Sequence, residues 1–67
     1  MTDREIALEQ ALIAVLAAAK SSSVDIDELV KNARSVVLDS AHSCNIVDDK
    51  NIRVTSCEEL DSAASKV

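Results

Sequence analysis

Apolar positions along this chain recur at helical spacing in three segments, and each segment is preceded by a polar residue able to cap a helix. Thr2-x-x-Glu5 opens the first, Asp25-x-x-Glu28 the second, and Thr55-x-x-Glu58 or Ser56-x-x-Glu59 the third. In this arrangement the first side chain accepts from an otherwise unpaired backbone N–H, and the acid favours the positive end of the helix. Met1 with Ile6, and Val24 with Leu29, stand where a hydrophobic staple would close across the first two starts. The pattern predicts helices over about 3–21, 26–43 and 57–66.

The first helix has an unusual distribution of apolar residues. Residues 11–20 read ALIAVLAAAK, with no charge between Gln10 and Lys20. At about 100° per residue, Ile6, Leu8, Leu12, Ile13, Val15 and Leu16 cover roughly half the circumference. The opposite side carries Ala7, Ala11, Ala14 and Ala18. Alanine is the best helix former and fills an exposed face without penalty. A solvent face would normally carry Glu, Lys or Gln, however, so the spacing favours a seam against which a second helix packs closely. Helix 1 is then central, with one apolar face for its own chain and one for a second copy.

The second helix divides cleanly. Ile26, Leu29, Val30, Ala33, Val36, Val37 and Ala41 form one core-facing stripe, extended by Cys44, and the charged residues lie off it. Leu38 is the exception, projecting on the side of Lys31, Arg34 and His42. It reads either as an exposed contact ringed by cations or as a residue packed under helix 3 or the 45–54 loop. Helix 3 places Cys57, Leu60, Ala63, Ala64 and Val67 at helical spacing, as a short lid. Ser21, Ser22 and Ser23 make a short loop, so helices 1 and 2 should form an antiparallel hairpin. Between helices 2 and 3, residues 46–47 and 52–54 flank a turn-forming DDKN and could pair as a tiny β-hairpin. Two isolated strands are marginal in water, so an extended loop laying Ile46, Ile52 and Val54 on the hairpin is favoured.

Composition supports an all-α fold and limits its core. The 67 residues include no Gly, Pro, Phe, Tyr or Trp. Without Gly or Pro, helices are favoured and turns fall to Ser, Asn and Asp. Without aromatic rings, the interior is Leu, Ile, Val and Ala. A chain of this length buries only about 60% of its unfolded surface and usually needs a disulfide, a metal or a second chain. A second chain is the favoured answer, giving one domain that assembles as a homodimeric helical bundle.

The chemistry of the chain is sparse. The formal charge of −5 disfavours a general phosphate binder. Read as helix-turn-helix, the hairpin would open its recognition helix on Asp27 and Glu28, with only Lys31 and Arg34 to help; nucleic-acid regulation is the alternative function. The apolar run in helix 1 is too short for a membrane span and follows acidic residues that a signal peptide would not carry, which points to a cytoplasmic protein. His42, Cys44 and Cys57 lack the close ligand pairs of a structural zinc site, and the thiols read as two buried small hydrophobes. With one His and no glycine loop, neither a catalytic site nor a cofactor is expected. The expected function is non-catalytic protein–protein interaction. A small acidic homodimer would use Lys31, Arg34, Leu38 and His42 to meet a larger cytoplasmic protein.

Overall fold

The computed structural model describes residues 2–46 and 48–67, which form three α-helices, α1 (Asp3–Ser21), α2 (Ile26–Leu38) and α3 (Lys50–Ala64). No strand occurs among the described residues. Met1 and Val47 fall outside them, and with them the Met1–Ile6 staple and the Val47 position of the expected hairpin.

The start of α1 follows the capping pattern. Thr2 is extended, its hydroxyl accepts from the Glu5 N–H, and the same hydroxyl donates to the Glu5 carboxylate. The end of α1 shows how a chain without glycine reverses. Ser23 adopts φ 66°, the left-handed conformation that glycine usually supplies. The Val24 N–H then reaches back to the Ala19 carbonyl and the Ser23 N–H to that of Lys20, each at 3.0 Å. These are the paired bonds of a Schellman termination, with serine in glycine's place. Asp25 opens α2 as expected, its carboxylate accepting from the Glu28 N–H.

The second and third helices differ from expectation at one end each. α2 stops at Leu38 and does not continue to residue 43. Asp39 turns the chain, and its carboxylate accepts from the Ala41 N–H at 3.0 Å. The Asn45 amide reaches back to the carbonyls of Val37 at 2.7 Å, Asp39 at 3.1 Å and Val36 at 3.4 Å. The Val37 carbonyl would otherwise lack a partner at the helix end, whereas those of Val36 and Asp39 also accept from the N–H groups of Asp39 and His42. α3 begins at Lys50, seven residues before the expected start at 57, because Asp49 caps it by accepting from the N–H groups of Asn51 and Ile52. The hydroxyls of Thr55 and Ser56 donate to the carbonyls of Asn51 and Ile52 one turn back, as mid-helix residues do. Ile52 and Val54 therefore belong to a helix, and Ile46 does not lie on the core: it is 95% exposed.

The core is small. Leu16, Val30 and Ala63 bring one buried residue from each helix together, with Leu12, Ile13, Ile26, Leu29, Leu60 and Val67 packed partly buried around them. Burial of one such leucine contributes about 1.5–3 kcal/mol. α3 carries most of the packing, and α1 and α2 touch each other least. Two polar links tie the residues that follow α3 to α1, from Lys66 to Glu9 and from the Lys20 ammonium to the Val67 carbonyl. The result is a flattened bundle with extents of 32 × 29 × 18 Å.

Candidate interaction surface

α1 turns only part of its apolar surface inward. Leu16 is buried and Leu12 and Ile13 are half-buried, whereas Ile6, Leu8 and Val15 are at least half exposed. The band of bulky residues is thus split between core and surface. Ala7, Ala11, Ala14 and Ala18 are all exposed. At about 100° per residue they lie within roughly 40° of the point opposite Leu16. The helix is therefore held by one edge, with an apolar back open to solvent.

α2 is also incompletely covered. Of its expected core stripe only Val30 is buried; Ile26, Leu29, Ala33, Val36 and Val37 are half-buried, and Ala41 lies beyond the helix end, exposed. Where α1 and α2 fail to close on each other, an open groove runs between them. Leu12 lines it from α1, Ala33, Val36 and Val37 from α2, and Ser56, Glu59 and Leu60 from α3. The periodicity of α2 identified its apolar side. It carried no sign that α3 would cross at an angle leaving the last turns of that side open.

The four residues expected around Leu38 are only partly brought together. Lys31, Arg34 and Leu38 share a shallow depression between α2 and α3, and Leu38 is 53% exposed at the edge of α3, where Val54, Cys57 and Glu58 line a second depression with it. Arg34 forms an ion pair with Asp61 across the two helices. The hydrogen bond and the charge of Asp61 both raise the Arg34 pKa above its ordinary value. Its positive charge is thereby matched within the chain. His42 does not join the others, because the helix ends before it. It is half-buried in the following turn, where its Nδ1 accepts from the Cys44 N–H at 3.0 Å.

The two cysteines differ from expectation in one respect. Cys57 is buried, but Cys44 is exposed, since the turn after Leu38 carries it off the apolar stripe; both are free thiols. Among the described residues, no group of three or more His, Cys, Asp and Glu side chains is placed to hold a metal ion. No helix among them is long and apolar enough to cross a membrane. No protein-family model, curated protein or solved structure matches the chain.

Proposed function

We propose that this chain is a non-catalytic interaction module that works as a homodimer, with the outward side of α1 covered by a second copy. The observation that carries this reading is the apolar back of α1. Ala7, Ala11, Ala14 and Ala18 are exposed beside Ile6, Leu8 and Val15, and no charged side chain stands between Gln10 and Lys20. Contiguous exposed apolar surface of this kind marks association sites in soluble proteins. In this reading the dimer is a small acidic regulator of the cytoplasm, and the Leu38 depression, flanked by Lys31, is where a larger protein makes contact.

Sedimentation equilibrium or light scattering at micromolar concentration tests the proposal. The expected mass is twice 7.1 kDa, and Ala14→Glu shifts it toward the single chain by placing a carboxylate in the seam. A wild-type protein that remains at 7.1 kDa overturns the reading.

A further inference from the structure

The accessible surface of the chain is 4946 Å². A compact monomer of 7.1 kDa exposes about 4,100 Å². The excess, about 850 Å², is close to the roughly 800 Å² that each partner contributes to a stable interface of standard size. Two features of this surface lie side by side. One is the groove lined by Leu12, Ala33, Val36, Val37 and Leu60; the other is the ridge beside it on α1, where Leu8, Ala11 and Val15 are exposed. At about 100° per residue these three fall within a sector of roughly 60° that begins next to Leu12. Ridge and groove are thus neighbours on one apolar face.

We propose that ridge and groove form a single two-fold interface, in which the α1 ridge of each copy lies in the groove of the other. The proposal rests on the homodimer reading above and adds where the second copy sits. A two-fold contact requires one patch to carry both halves of the fit, and a ridge flanked by a groove does so. Packing a helix there would cover the half-buried side of α2 that α1 and α3 leave open. Charge agrees with shape. Arg4 lies on the ridge side of α1 with no carboxylate partner among the described residues, and Glu59 stands in the groove with no cation partner among them. A second copy brings the two signs to the same surface.

The test uses the unmodified chain. Isotope-filtered NMR on a mixture of labelled and unlabelled protein is expected to show contacts between the Leu8 and Val15 methyls of one copy and the Val36 and Val37 methyls of the other. Val15→Lys, at a position already 64% exposed and so compatible with the monomer fold, is expected to weaken dimerisation by at least about tenfold. A dimer whose intermolecular contacts are confined to the methyls of Ala7, Ala14 and Ala18 overturns this proposal and leaves the homodimer reading standing. So does a dimer unaffected by Val15→Lys. A wild-type chain that stays monomeric overturns both and leaves the groove to a partner of another sequence.

Discussion

Asn45→Asp keeps the size of the side chain but removes both of its N–H donors. In the native chain those donors face the carbonyls of Val37, Asp39 and Val36, at 2.7, 3.1 and 3.4 Å. Two hydrogens cannot serve three acceptors fully, so the two shorter bonds carry most of the effect. At about 1 kcal/mol for each net bond, Asn45→Ala should cost about 1–2 kcal/mol. The aspartate does worse, because its carboxylate then faces carbonyl oxygens at the negative end of α2. That repulsion adds about 0.5–1 kcal/mol. For a domain of this size each kcal/mol lowers the melting temperature by about 4–8 °C. Urea unfolding followed by far-ultraviolet circular dichroism measures both variants, at a single protein concentration because association would shift the midpoint. The order should be wild type, then Ala, then Asp. The gap between Ala and Asp should shrink as the pH falls, since the folded state raises the pKa of a carboxyl placed there and its protonated form regains one donor. Equal stability of the two variants would refute the account of how α2 ends.

Two further substitutions probe the helix boundaries. Asp49→Ala should cost about 1 kcal/mol by removing the true cap of α3, whereas Thr55→Ala should be neutral or slightly stabilising, since it deletes only a bond to the Asn51 carbonyl inside the helix. Thermal melting of both variants separates the two starts, and the reverse order would restore Thr55 as the cap. Ser23→Gly should stabilise the chain by about 0.5–1 kcal/mol, because glycine adopts the left-handed φ of 66° without the clash a Cβ brings. A loss of stability in urea unfolding would count against the Schellman termination of α1.

Where the controlling interactions are local, the fold was legible in the residues themselves. Thr2 and Asp25 each accept from an N–H three residues on, so the first turns of α1 and α2 could be read from spacing alone. The end of α2 was not readable in this way. Ala41 continues the helical spacing, and the group that stops the helix is an amide arriving from Asn45, six to nine residues further along. The start of α3 was misplaced for a related reason. Asp49 is a sound cap, but Ile52 stands where an acid would complete the box, while Thr55-x-x-Glu58 imitates a start in the middle of the helix. The alanine side of α1 was legible from angle, but the split of its bulky side was not, since Ile6, Leu8 and Val15 are left exposed while Leu16 is buried. The groove was not, because it depends on how three helices cross, and periodicity along one helix carries no information about that.

The smallness of the core also shapes how the molecule answers to temperature. No side chain among the described residues with a buried apolar surface is fully sealed from water, and the four that come nearest are Leu16, Val30, Cys57 and Ala63. Apolar surface already hydrated in the native state adds nothing to the heat capacity on unfolding, which scales with the apolar area newly exposed. The stability curve of a single chain is therefore shallow, with little change between cold and warm and a broad melting transition instead of a sharp one. Any association that sealed the exposed valines and leucines would appear in calorimetry as a steeper curve and a narrower melt.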